Sequence, residues 1–563
     1  MNIFKLWFST LIFTLLSVIS NGQDNFLTIL IDELNREMTE FKKSDNPPYY
    51  LAYRVNDQFS STISSSFGTI ISLDTTRRRM LNTVVRVGDY SKDNTHALNN
   101  GNFMGRGFNS FASLPLDDNK NAIAQELWRN TDRTYKMALD AFNSSRFSDE
   151  NSKNDTLPDF TIENAETYFQ EEQSECKLEI DIWNDRLNLL TEKFNSNLNI
   201  INGDATIRTI VDHKYFVSSE GAKIKQTNTF SYLHINGIIR ATDGMICPLV
   251  LSYFGFTPDE LPSMEKLLSD VDGLIERLKK LRNAPLAEPY EGPAILSPKA
   301  SGVFFHEIFG HRVEGHRTRQ KTDSQTFNEK VGERVLPKAF NVTFDPTMDK
   351  FEDYSLSGYY MFDDEGIKGQ KVEVVSNGVL NEYLQSRCPI TTNSRSNGHG
   401  RAQAGMSTVT RQSNMLVQAD KNYSMDKLRK QLIKACKKQN KPYGYLFEEV
   451  SGGFTTVSRF MPNAFNVNPL EVYRVFTDGR PDELVRGVSL IGTPLAMFAE
   501  IKSAGDQFDI FNGFCGAESG AVPVSTVAPA LFVNQIETQK KMNIESSETI
   551  LNRPGIKQSS KTN

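Results

Sequence analysis

Three prolines and a glycine fall within Ala284–Pro293, and neither a helix nor a regular central strand runs through such a stretch without losing backbone hydrogen bonds. The chain changes character across it. On the N-terminal side, Leu267, Leu268, Val271, Leu274, Ile275, Leu278 and Leu281 recur at helical spacing and make one apolar stripe along Ser263 to Leu281. On the C-terminal side the pattern shortens to strands joined by tight turns. Lys371 to Val375 and Val379 to Leu384 flank Asn377-Gly378, a strong hairpin signal. Tyr473 to Phe476 and Leu484 to Val488 flank a turn containing Asp478-Gly479. A chain of 563 residues is also long for a single core. The reading is therefore α+β with two domains: a mixed α/β domain over 23–284, a linker at 285–296, and a sheet-rich domain over 297–538.

Within the first domain, Phe26 to Lys43 reads as an amphipathic helix and Tyr49 to Val55 as a strand. Thr69 to Val87 reads as a strand broken at Arg77-Arg78-Arg79, with the triplet as a solvated strand end or turn. A polar stretch at 143–156 precedes a region, near 160 to 200, that is expected to be mainly helical. From about Gln539 to Asn563 the sequence is polar and patternless, as in a disordered tail (539–563).

Lys5 precedes an apolar run from Leu6 to Ile19, followed by Ser20-Asn21-Gly22. That run is short for a bilayer span and suits a cleaved signal peptide over 1–22, so the chain is expected to be exported, to a periplasm or out of the cell. No later stretch is long and apolar enough to span a bilayer. The five cysteines are scattered with no CxxC pair, and an odd count leaves at least one unpaired within an exported chain. The 63 basic against 69 acidic residues argue against general nucleic-acid or anionic-membrane binding.

Chemistry concentrates just past the linker. Ser297-Pro298 is an N-cap followed by a first-turn proline, and the helix it starts runs through Ala300 to Phe309, with His306 and Glu307 on it and His311 after Gly310. With only seven histidines in the chain, two bracketing a glutamate point to a metal site. The spacing is H-E-x-x-x-H, and residues five apart lie about 140° apart on an ideal helix. Both histidines reach one ion only if the helix bulges or frays at Gly310. A straight helix would instead align Glu307, His311 and Glu314, with His316 within reach, so the residues alone leave the ligand set open. His96, His213 and His234 have no companions and read as ordinary residues.

The run Ser297 to His316 resembles the motif helix of the TldD/PmbA family of metallopeptidases. So do Asp363-Asp364-Glu365-Gly366, Ser396 to Arg401, Arg411 to Asn414 and Cys515-Gly516, in matching order across most of 290–536. The resemblance implies that His306, His311 and Cys515 bind Zn2+ and that Glu307 is catalytic, which leaves the fourth tetrahedral position for water. It further implies a peptide substrate and a closed dimer, either of two identical chains or with a related subunit. His399, Arg401, Arg411, Asn414 and Asp364 become candidates for holding substrate, although a turn explains Asp364, and a backbone-bonded loop histidine explains His399, about as well. The chain departs from the pattern where Ala517 replaces a frequent lysine and where His316 stands in place of an acidic residue. The rival readings are a non-catalytic partner subunit, a peptide-binding protein of the same fold, and a hydrolase of another amide bond.

Overall fold

A computed structural model describes residues 24–96, 110–148, 157–170, 176–319, 327, 329–455, 465–492 and 494–541. The expected signal peptide and nearly all of the expected tail lie outside these residues. Two sheets organise the molecule, one before and one after the proline-rich stretch.

The first is antiparallel through its centre. Strands β1 (Pro48–Ser66), β2 (Thr69–Val87), β5 (Ile200–Ser218), β6 (Lys223–Arg240) and β7 (Ile246–Gly255) pair as β2-β1-β5-β6-β7. Short strands β3 (Ser110–Ser113) and β4 (Thr167–Phe169) join β2 and β6. Helices α1 (Asn25–Phe41), α2 (Lys120–Ser148), α3 (Ile180–Glu192) and α4 (Met264–Asn283) cover it. Ser263 caps α4 by accepting from the Lys266 amide, and Leu267, Val271, Leu274, Ile275, Leu278 and Leu281 are buried as the stripe requires. Only Leu268 of the seven predicted stripe residues stays partly exposed.

Two expectations for this domain fail. The arginine triplet does not break β2, because Arg77 and Arg79 fall on one face, where both pair with Asp57 of β1 (2.9 and 2.7 Å). Among the described residues from 160 to 179 the only regular element is the short strand Thr167–Phe169, and from there to 200 only α3 is a regular α-helix. Its Trp183, Leu187 and Leu190 are buried, whereas the residues before it carry no such stripe.

The second sheet has twelve strands. The expected linker is only partly a linker, because Tyr290–Leu296 forms strand β8. β8 pairs parallel with Tyr443–Thr455 and antiparallel with Gly520–Lys540, and Pro293 sits where the second register shifts, so its missing amide costs no ladder hydrogen bond. Helix α5 (Pro298–Ile308) follows at once, capped by Ser297 on the Ala300 amide. It packs Ala300, Val303, Phe304, Phe305 and Ile308 into a core shared with Leu296, Phe447, Leu490 and Leu531. The Asn377-Gly378 hairpin forms with both residues at positive φ (52° and 77°). The closing strand runs to Lys540, so Gln539 belongs to the sheet rather than to a patternless tail.

Candidate metal centre

His306 and Glu307 occupy the last turn of α5, which stops at Ile308. Beyond Phe309 the chain tightens into a 3-10 turn over Gly310–Arg312, and this turn, rather than a bulge inside a continuing helix, brings His311 back beside His306. The two imidazoles stand 5.3 Å apart between ring centroids at 72°. Gln412 fixes the break. Its amide donates to the His306 carbonyl at 3.3 Å, and a Cβ on Gly310 would lie 1.9 Å from its Oε1, so a side chain at position 310 would force Gln412 to move.

Cys515 arrives from the hairpin of strands Ile501–Ala517 and Gly520–Lys540, paired with Val522. Its Sγ is 3.5 Å from His311 Nε2. One ligand atom each from His306, His311 and Cys515 lie within 4.8 Å of one another, and all three residues are buried. Zinc bonds of about 2.0–2.1 Å to nitrogen and about 2.3 Å to sulfur, at the tetrahedral angle, would place the two atoms about 3.6 Å apart. The observed spacing fits. His306 Nδ1 is buried without a hydrogen-bond partner among the described residues, an arrangement that costs free energy unless something beyond the side chains takes its lone pair.

The electrostatics favour the ligand form of the thiol. Burial works against the thiolate, yet His311, His306 and Arg411 outweigh it and hold the Cys515 pKa well below its ordinary value. Burial likewise opposes charge on Glu314, but His311 and Arg317 keep its carboxyl at about 2. Glu314 accepts from His311 Nδ1 at 3.2 Å and from Arg317 Nε at 2.8 Å, which leaves Nε2 of His311 to face Cys515. Arg411 ties the two halves together. Its Nε lies 3.5 Å from Glu314, and its Nη atoms donate to the Cys515 carbonyl, the Ser519 hydroxyl (2.7 Å) and the Gly520 carbonyl (2.8 Å).

The structure thus gathers His306, His311 and Cys515 and sets the alternative ligands Glu314 and His316 behind them. Glu314 orients His311, and His316 Nε2 bonds Glu518 at 2.6 Å, so one sequence departure, His316, makes this contact and the other, Ala517, adjoins its partner. The five substrate candidates are all buried and bonded to protein. His399 Nε2 meets Ser413 at 3.0 Å and its Nδ1 meets Asn397, the backbone-bonded alternative. Arg401 donates to the Gln412 carbonyl and lies over the Tyr360 ring. Asn414 donates to the carbonyls of Asp345 and Met348. Asp364 pairs with Lys214 of β5 at 3.0 Å and so joins the two domains. Sequence reading singled out neither Gln412 nor Glu518. No spacing rule marks either, since each acts on a helix end about a hundred or more residues away in the chain.

Residues 289–540 match the family profile described as the PmbA/TldA metallopeptidase C-terminal domain. The chain carries a C-terminal domain of the TldD/PmbA family. It is 30% identical over 256 residues to a metalloprotease of Archaeoglobus fulgidus, a match spanning 46% of this chain and 55% of that one, so the chain spans little more than half of that relative's length. It is 25% identical over 332 residues to the zinc metalloprotease TldD homolog of Saccharolobus solfataricus, covering 58% of this chain and 68% of that one. The solved structure of TldE from Thermococcus kodakarensis matches 91% of this chain and 100% of its own at a TM-score of 0.60 and 14% identity. At that identity the TldE likeness establishes a common fold for both domains and nothing about chemistry.

Proposed function

We propose that the chain is a zinc-dependent peptidase acting on unfolded or short peptides. One observation carries the proposal: Cys515 Sγ, drawn from a distant hairpin, lies 3.5 Å from His311 Nε2 and shares its cluster with His306. Two imidazoles and a thiolate leave one tetrahedral position open, the donor set of a catalytic rather than a structural zinc. Zinc held there supplies Lewis acidity that lowers the pKa of water from about 15.7 toward about 7 and polarises a carbonyl. Glu307, adjoining His306 on the last turn of α5, takes the proton of the attacking water and delivers it to the leaving amine. Water oxygen bonds the carbonyl carbon, the carbon–nitrogen bond breaks, and no covalent enzyme intermediate is formed. Such general-base help is worth about 10²- to 10⁴-fold. Arg411 and Glu314 hold the two ligand-bearing segments in register. Glu307 is only 8% exposed, which favours extended chains over folded proteins as substrates.

In this reading the active assembly is a dimer, with an identical chain or a related subunit, and the Leu6–Ile19 run directs export. An inactive partner subunit has no need of a buried, unpartnered His306 nitrogen beside a thiolate, which weighs against the non-catalytic alternative. The decisive measurement is zinc stoichiometry alongside cleavage of an unstructured peptide library. Glu307→Ala should keep the metal and lose at least about a hundredfold in rate, whereas Cys515→Ala should lose the metal. Equal cleavage by wild type and Glu307→Ala, or full zinc retention by Cys515→Ala, would refute the proposal.

A further inference from the structure

The chain carries an overall charge of -6, yet one helix on its surface is strongly basic. Helix α6 (Met425–Lys438) buries Leu428, Leu432 and Cys436 against Ile295, Leu446, Ala530 and Phe532. Those sheet residues alternate with Ala294, Leu296, Phe447 and Leu531, which face α5. Helix α6 therefore covers the side of the sheet turned away from the metal centre.

At about 100° per residue, Lys427, Lys430, Lys434, Lys437 and Lys438 occupy an arc of roughly 100° opposite that buried stripe. All five are exposed, as is Lys421 just before the helix. Asp426 is the only acid in the helix. Several helical lysines elsewhere meet acids: Lys136 with Asp132 at 2.7 Å, Lys266 with Asp270 at 2.5 Å, Lys279 with Glu276 at 2.6 Å. Among the described residues Lys430, Lys434, Lys437 and Lys438 form no ion pair, and the one arginine of the helix, Arg429, is taken by Asp482 at 2.7 Å. The helix dipole accounts for Lys437 and Lys438 in the last turn but not for Lys427 or Lys430 near the start. The Lys430–Lys434 and Lys434–Lys438 spacings are mutually repulsive. A merely solvated face has no reason to set five lysines against a single carboxylate, Asp426, at its edge.

We infer that this face of α6 docks the protein on an anionic lipid surface. Five lysines over about 21 Å of helix, with Lys421 just before it, supply a plane of positive charge suited to phospholipid headgroups. The face lacks what nucleic-acid readout uses. Its apolar side is packed away, its arginine is paired, and the Tyr423 ring is already approached by Lys421 and Lys427 at 5.5 and 4.7 Å. Export through the Leu6–Ile19 run would deliver the chain to a bilayer. The overall charge balance, which argues against general binding to anionic membranes, averages over a surface on which this one face is the exception.

The test uses the whole chain with vesicles of phosphatidylcholine alone or mixed with phosphatidylglycerol, at low and high salt. Wild type should sediment with the anionic vesicles only and be released by salt. K430Q/K434Q/K437Q/K438Q should bind them at least about tenfold more weakly with unchanged zinc content, while K430R/K434R/K437R/K438R keeps binding. The Leu6–Ile19 run is common to all three proteins, so it cannot produce the difference. Equal binding to both lipids, undiminished binding by the glutamine variant, or stronger retention by a single-stranded oligonucleotide than by the vesicles would each overturn the inference. Should the glutamine variant melt early, lipid selectivity and salt release in wild type and the arginine variant decide the matter.

Discussion

Replacing Glu314 with glutamine keeps shape and volume while removing the negative charge that orients His311. The carboxylate is fully buried and meets His311 Nδ1 at 3.2 Å, Arg317 Nε at 2.8 Å and Arg411 Nε at 3.5 Å. Removing one member of a buried ion pair costs about 3–5 kcal/mol when its partner is left alone. Here the partners keep other acceptors: Arg317 retains Glu518 at 2.9 Å, and Arg411 retains Ser519 and two carbonyls. The stability loss should therefore fall near the lower end, about 3 kcal/mol. The effect on metal is separate. Outer hydrogen bonds to a ligand imidazole are worth about 10- to 100-fold in affinity, or about 1.4–2.7 kcal/mol. Urea denaturation without metal reads the first quantity, and competition against a chromophoric chelator on folded protein reads the second. His311→Ala should abolish stoichiometric binding, so Glu314→Gln should lie between it and wild type. A folded Glu314→Gln protein with wild-type zinc affinity would show that Glu314 does not orient the ligand.

Three further outcomes follow from the same geometry. Gly310→Ala drives a methyl into the Gln412 amide and should destabilise the protein by about 1–3 kcal/mol, read as a lower urea midpoint; an unchanged midpoint would mean that Gln412 moves freely. His399 is held neutral by burial, with its pKa pushed down to about 3. The unfolded chain therefore takes up a proton near pH 6.5 that the folded protein refuses, and stability falls as pH drops from about 6.5 toward 3. His399→Gln should flatten that slope by about 2–3 kcal/mol between pH 6.5 and 4.5, and parallel curves would count against it. Asp57→Ala leaves Arg79 buried without its main acceptor and should cost about 3–5 kcal/mol; a loss under about 1 kcal/mol would place the pair in the class of weak surface bridges.

Local patterns in the sequence were legible where one physical requirement dominated. The α4 stripe, the Asn377-Gly378 turn and the Ser297 cap each depend on residues within a turn or two, and each forms. The arginine triplet misled because like charges in a row suggest solvent, while Asp57, twenty or so residues earlier, neutralises alternate members across the hairpin. Tyr290–Leu296 misled because proline and glycine read as punctuation, and only the register with Gly520–Lys540 reveals where a proline is harmless. At the metal centre, helix geometry left the ligands open among His306, His311, Glu314 and His316. The third member of the cluster, Cys515, lies 204 residues beyond His311, and nothing periodic links them.

That long interval bears on how the protein matures. A growing chain exposes both imidazoles long before the thiol has been synthesised, and the hairpin that delivers it must still pair with the rest of its sheet. If the cluster binds zinc as proposed, capture of the ion waits until the C-terminal domain is essentially complete. Chains truncated or misfolded before residue 515 would have no competent receptor for the ion, and metal content would serve as a gauge of finished molecules.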